Sequence, residues 1–200
     1  MKKVFSSALL MLLIISNVSF AQDNAAKKVD RMRPALLVID IQNAFLPLMD
    51  QSEITPAMEN INFYINLFRQ KGFPIIRIYH SDIKYGFGPK EDSEQFEFPK
   101  TVLIKPEDQK VIKHYGDAFN KTDLDKVLKE NKVNTIFLCG LSAVGCVLAT
   151  YVGAENFDYT AFFLKDALVS HKSAYTKNIE DIFSALGYDA VNVMLNNAEK

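Results

Sequence analysis

The 200-residue chain has no tryptophan, only two cysteines and three histidines, and almost no charge imbalance, with 23 Lys and Arg against 24 Asp and Glu. Each shortage excludes something. Two cysteines cannot build a disulfide scaffold. His80, His114 and His171 are scattered, with no HxxxH or CxxC spacing, so no dedicated metal site is expected. A net charge of -1 provides no electrostatic attraction for nucleic acid or for an anionic membrane surface. The longest apolar run, VFSSALLMLLII, falls short of the roughly 20 residues that a membrane span requires. No internal repeat and no second-domain boundary is visible.

That run has a different use. Lys2 and Lys3 precede it, and Ser19 and Ala21 stand at the minus-three and minus-one positions of a cleavage site. This is the layout of a secretory signal peptide spanning residues 1–21, followed by a polar, flexible lead-in over 22–33. The mature protein is therefore expected outside the cytoplasm, periplasmic or secreted and free of the membrane after cleavage, where thiols tend to oxidise. One domain, residues 34–200, should follow.

From Pro34 onward, short apolar runs alternate with helical patterns. ALLVID is continuous and apolar, as in a strand buried on both faces. TPAMENINFYINLFRQKGFP predicts a helix capped by Thr55, with Pro56 at its first position and Gly72 at its stop. PIIRIYH, KVIKHY, NTIFLCG and YTAFFLKDA read as strands, and DAVNVM as a last one. TDLDKVLKENK, Ala143–Asn156 and Ser173–Leu186 read as helices, the first with Thr122 and Asp125 in capping-box spacing. The polar and aromatic stretch SDIKYGFGPKEDSEQFEFPK is long enough to be a mobile segment or a functional lid. The alternation predicts an α/β domain with a mainly parallel sheet and helices on both faces.

Ligands of such sheets bind beyond the carboxyl ends of the strands, so the residues found there carry the functional reading. The loop after Asp40 contains no glycine, which removes both the GxGxxG turn and the Walker-type phosphate cradle. GLSAVG is one residue too long for a GxSxG elbow, leaving Ser142 a weak nucleophile candidate. Cys146 stands where a helix should begin, and the helix dipole, together with a cation such as Lys113, would favour its thiolate. Asp40 could take the thiol proton and later deliver it to a leaving group. Taken singly, each residue has a plainer reading: a small buried hydrophobe for Cys146, a loop cap for Asp40, a solvated charge for Lys113. A disulfide between Cys139 and Cys146 is a further alternative in an exported chain.

Three motifs in order resemble the isochorismatase-like cysteine hydrolase superfamily, which includes nicotinamidases and carbamoylsarcosine amidases. ALLVIDIQNAFL resembles the family's apolar strand followed by D-x-Q/N-x-x-F, with Asp40, Gln42 and Phe45. KHYGDAFNKTDLDKVL resembles K-x-x-x-S/D-A-F…T-x-L, and IFLCGLSAVGCVLAT resembles G-x-x-T-x-x-C-V-x-x-T, with Gly140, Cys146 and Thr150. FLKDALVS is a softer fourth match. The resemblance covers nearly the whole mature chain. It implies a three-layer αβα fold with a six-stranded sheet in the order 3-2-1-4-5-6 and a catalytic triad of Asp40, Lys113 and Cys146. It also implies a cis peptide between Leu141 and Ser142, and an oxyanion hole built from the backbone N–H groups of Ser142 and Cys146.

The same resemblance implies a small-molecule substrate, no cofactor and a homo-oligomer. Phe45, Tyr85, Phe87 and Tyr115 are candidates for the pocket wall. Two departures stand out: Ala143 occupies a position where the family often has threonine, and the nicotinamidase-type metal ligands have no counterpart. With Cys146 in place, the amidohydrolase branch is favoured. Hydrolysis of an isochorismate-like, non-amide substrate, or an exported binding protein with a degenerate pocket, are the alternatives.

Overall fold

The computed structural model describes residues 31–81 and 88–200. The signal-peptide segment, most of the lead-in, and Tyr85 and Phe87 lie outside the described residues. The first strand, β1 (Pro34–Ile39), is buried along its whole length because neighbours flank it on both edges and helices cover both faces. It pairs in parallel with β2 (Ile75–His80) on one side and β4 (Thr135–Leu141) on the other. β3 (Gln109–Lys113) adds to β2, and β5 (Thr160–Val169) to β4. Among the described residues the sheet therefore has five strands, all parallel, in the order β3-β2-β1-β4-β5.

Strand alternation sorts the apolar side chains into two layers. Leu36 and Val38 of β1, with Phe137 and Cys139 of β4, pack against α1 (Gln51–Lys71) and α5 (Tyr188–Asn196). Leu37 and Ile39, with Ile136 and Leu138, pack against the opposite layer of helices, α2 (Leu124–Glu130), α3 (Leu148–Glu155) and α4 (Ser173–Ile182). β1 thus reads as a continuous apolar run because both of its faces are core. Truncating a fully buried leucine such as Leu36 to alanine would cost about 2–5 kcal/mol.

The expected sixth strand is instead α5. Val191 and Leu195, four residues apart, are its buried positions, whereas Val193, which strand alternation would bury beside Val191, is 61% exposed. The sheet's would-be extension is reduced to a single parallel bridge at Leu186. Its N–H donates to the Phe163 carbonyl at 2.9 Å, and its own carbonyl accepts from Lys165 N–H at 3.0 Å.

Several boundaries also differ from the sequence expectation. α1 begins at Gln51 rather than near Thr55, because the Asp50 carboxylate accepts the Ser52 N–H at 3.1 Å and caps the helix earlier. Pro56 consequently lies inside the helix, which ends at Gly72 in the left-handed conformation. α4 stops at Ile182, with Ser184 at φ 50°, and the chain turns back to bring Leu186 to β5. In place of a capping box at α2, Thr122 Oγ1 accepts the Leu124 N–H, and Asp125 pairs with Lys129.

The described part of the long irregular stretch is packed down. Phe96 and Phe98 stack on Tyr79 with ring centroids 5.0 and 4.3 Å away. The carbonyls of Gln95 and Glu97 accept the N–H groups of Ala44 and Asn43. Among the described residues no helix is long and apolar enough to cross a membrane.

Candidate active site

Strand order reverses between β1 and β4, and the crevice at their carboxyl ends is where the chemistry-bearing residues meet. Asp40 follows β1 directly, at φ 54°, a left-handed conformation that aspartate tolerates better than most residues. Its N–H still donates to Ile78 O, so the strand ladder holds the residue while the backbone turns. Lys113 ends β3 and His80 ends β2, and the two are direct partners in the parallel register. Cys146 comes from the loop after β4.

Asp40 and Lys113 form an ion pair, Oδ2 to Nζ at 2.7 Å, with the two side chains 4% and 0% exposed. A buried pair of this kind persists only when its remaining polar groups are also served. Lys113 meets that condition: Nζ also contacts His80 Nδ1 at 3.0 Å and donates to the Tyr115 carbonyl at 3.2 Å. Burial alone would lower the lysine's pKa, but the charge of Asp40, then Cys146, raises it above its ordinary value. Asp40 behaves differently. Its Oδ1 is buried and takes no hydrogen bond within the described protein, an acceptor held beside the cysteine.

The nucleophile loop departs from a regular helix start. After β4 the Leu141–Ser142 peptide is cis. Ala143–Val147 then form one wide, π-type turn, in which Gly145 has non-helical φ/ψ (-117°, -112°) and α3 begins only at Leu148. The Ser142 carbonyl accepts the N–H groups of Gly145 at 2.8 Å and Val147 at 3.3 Å. Thr150, fully buried, ties this turn to the loop after β3. Its hydroxyl donates to Cys146 O at 2.8 Å and accepts from Ala118 N–H at 3.0 Å. Gly140, at φ 117°, lies so close to β1 that a Cβ there would overlap the Ile39 backbone.

The surroundings of the Cys146 thiol disfavour its ionisation. Burial pushes Cys146 up to about 12, the carboxylate of Asp40 adds to the rise, and Lys113 opposes it only in part. Lys113 favours the thiolate, as expected, but burial and Asp40 together outweigh it. Lys113 is already neutralised by Asp40, and ionising the thiol would put a second anion beside that carboxylate. Cys139 and Cys146 are both free thiols. Cys139 is fully buried in β4, its Sγ 3.5 Å from Leu37 O, and burial alone raises its pKa far above the thiol range.

Asp40, Ser142 and Cys146 line one cavity of about 410 Å³, with Phe45, Leu48, Met49, His80, Leu141, Gly145 and His171. Phe45 thus lies on the wall, edge-on to His80 at 6.0 Å. Tyr115 does not line the cavity; its backbone carbonyl serves Lys113, and its ring lies under Lys121 Nζ at 5.2 Å. Ala143 is fully buried in the core layer toward α2, α3 and α4, so its missing hydroxyl does not change the cavity lining. Ser142 Oγ lies 3.4 Å from Ser170 Oγ.

His80, His171, Leu48 and Met49 were not anticipated as site residues. His80 had a readable signal, since it ends a strand just as Asp40 and Lys113 do. The others follow loops whose placement sequence does not specify. Asp40, His80 and Cys146 bring an oxygen, a nitrogen and a sulfur within 4.8 Å of one another, a donor set of the kind zinc uses. Here the Lys113 ammonium already interacts with all three residues and brings positive charge to the same cluster.

A family model described as the isochorismatase domain matches residues 34–189. The uncharacterized isochorismatase family protein YrdC of Bacillus subtilis (strain 168) is 31% identical over 140 residues, covering 68% of this chain and 73% of that protein. YddQ of the same organism is 30% identical over 155 residues, covering 75% and 83%. Among solved structures, an isochorismatase family protein from Burkholderia thailandensis superposes with a TM-score of 0.71 at 24% identity, over 82% of this chain and 96% of that one. N-carbamoylsarcosine amidase from Thermoplasma acidophilum gives a TM-score of 0.64 at 24% identity, over 78% and 95%.

Proposed function

Because the chain belongs to the isochorismatase family of hydrolases, we propose that it is a cysteine hydrolase of a small, uncharged amide or carbamoyl compound. One observation carries this reading: a buried carboxylate, clamped by Lys113 through one oxygen, keeps its other oxygen without a hydrogen bond among the described residues, in the cavity that contains the Cys146 thiol. Asp40 Oδ1 accepts the thiol proton as sulfur attacks the substrate carbonyl, so no free thiolate need accumulate. The backbone N–H groups of Ser142 and Cys146 hold the oxyanion. Asp40 then returns the proton to the leaving nitrogen as the C–N bond breaks, leaving a thioester on Cys146. Water attacks the thioester, giving one proton to Asp40, and collapse releases the carboxylic or carbamic acid and restores the thiol.

The cavity lining favours this reading over an isochorismate-like substrate. Its described residues are mainly apolar, and the one lysine beneath them is engaged by Asp40, His80 and Tyr115. A dicarboxylate would find no uncommitted Lys or Arg among them. On the same reading the protein is exported, cleaved after Ala21 and assembled as a homo-oligomer; the N-terminal residue of the mature protein and its mass by light scattering test these points. The central test is a panel of neutral amides and carbamoyl compounds beside carboxylated analogues, assayed with wild type and Cys146→Ala. Turnover of the neutral compounds that disappears in Cys146→Ala is the expected result. Turnover that survives the substitution would end the cysteine mechanism.

A further inference from the structure

His80 stands outside the Asp40–Lys113–Cys146 set yet touches its centre. The Lys113 ammonium carries three protons and faces Asp40 Oδ2 at 2.7 Å, His80 Nδ1 at 3.0 Å, the Tyr115 carbonyl at 3.2 Å and the Cys146 side chain. An ammonium has no lone pair, so the imidazole nitrogen facing it must be the bare acceptor. A bare Nδ1 leaves the imidazole neutral, with its proton on Nε2.

The imidazole is itself held in place. Gln42, fully buried, grips both backbone groups of His80: Oε1 accepts its N–H at 2.7 Å, and Nε2 donates to its carbonyl at 3.1 Å. Phe45 packs edge-on against the ring. Gln42 and Phe45 come from the loop after β1, His80 from the end of β2 and Lys113 from the end of β3, so one chain of contacts joins three adjacent strand ends.

We propose that His80 is a positioning residue of this site: as a neutral, Nε2-protonated imidazole it takes one ammonium proton of Lys113 and so makes Lys113 an immobile cation held beside Asp40 and Cys146. Lys113 then donates no hydrogen bond to substrate and shuttles no proton; all proton transfer falls to Asp40. This inference rests on the cysteine-hydrolase reading of Asp40, Lys113 and Cys146.

The test needs no substrate. The chain has three histidines, so long-range proton–nitrogen NMR on ¹⁵N-histidine-labelled full-length protein, with His114→Gln and His171→Gln for assignment, isolates the His80 signals. At neutral pH the wild type should show a protonated Nε2 and an unprotonated Nδ1, and Lys113→Met should lose that single-tautomer pattern. The Lys113 ammonium protons should exchange slowly in wild type and in His80→Asn, whose amide oxygen can replace the acceptor. In His80→Leu they should exchange about 10- to 100-fold faster, the equivalent of one charge-assisted hydrogen bond.

A wild-type His80 protonated on Nδ1, or on both nitrogens, would overturn the proposal; so would equal ammonium exchange in His80→Asn and His80→Leu. These results are separable from the fate of the hydrolase reading. Turnover that survives Cys146→Ala removes that reading whatever the tautomer, and the wrong tautomer removes this inference while Cys146 dependence stands.

Discussion

Replacing Lys113 with methionine deletes a charge while keeping most of the side chain's length. In the native structure the Asp40 carboxylate is 4% exposed, its Oδ2 bound to Lys113 and its Oδ1 without a hydrogen bond among the described residues. The substitution therefore strands a buried anion. Removing one member of a buried pair costs about 3–5 kcal/mol, much of it the desolvation of the partner left behind. For a domain of this size that corresponds to a fall in Tm of about 6–20 °C. Asp40→Asn in the same background removes the stranded charge, so the double variant should be more stable than the two single losses added together. The expected coupling is about 2–3 kcal/mol.

Urea unfolding of the four proteins at pH 7 measures this cycle. The lysine's folded pKa is raised, so its stabilisation is fully present below the unfolded value of about 10.4 and is lost only as pH rises through the still higher folded value. The gap between wild type and Lys113→Met should therefore stay constant from pH 7 to 9. A Lys113→Met protein within about 1 kcal/mol of wild type, or strictly additive variants, would refute the buried-pair energetics.

Alkaline stability provides a second check. Cys139 and Cys146 both keep their protons to higher pH when folded than when unfolded, so the unfolded state ionises first and stability falls as pH rises above about 8.5. Each group steepens the fall by up to about 1.4 kcal/mol per pH unit, and Cys146→Ser should flatten the dependence of Tm on pH between 8.5 and about 11. Gly153 in α3 faces the Asp117 carboxyl so closely that an alanine Cβ would overlap it and displace Asp117 from the Phe119 N–H it accepts at 2.8 Å. Gly153→Ala should thus destabilise by about 1 kcal/mol despite its better helix propensity, and Asp117→Ala should suppress the loss in thermal unfolding. Phe98→Ala removes a ring stacked at 4.3 Å on Tyr79 and should cost about 3 kcal/mol or more. Faster proteolysis within residues 88–100 would report the loosened segment, and unchanged cleavage would count against that packing.

The parallel strands were legible because β1 and β4 are buried on both faces and β2 nearly so, which leaves apolar runs that surface elements do not carry. Asp40, Lys113 and Cys146 could be singled out because each ends or follows a strand, and topology alone brings such positions together. α5 was misread because DAVNVM is short, and its period shows only in what is buried: Val191 and Leu195 face α1 while Val193 faces out. Pro56 marked a helix correctly but not its start, which Asp50 sets through a local hydrogen bond.

By itself, then, the sequence determined the α/β alternation, the apolar strands and the order of residues at their carboxyl ends, because periodicity and chain order are local properties. Only tertiary structure decided the rest. It drew His80 onto Lys113 across two neighbouring strands, left one oxygen of Asp40 without a hydrogen bond among the described residues, and raised the pKa of Cys146. The physical reason is that burial and pairing act over a few ångströms of space, between residues as far apart in sequence as Asp40 and Lys113. Burial and a neighbouring anion disfavour ionisation of a thiol that its place at a helix start favours, and Lys113 offsets them only in part.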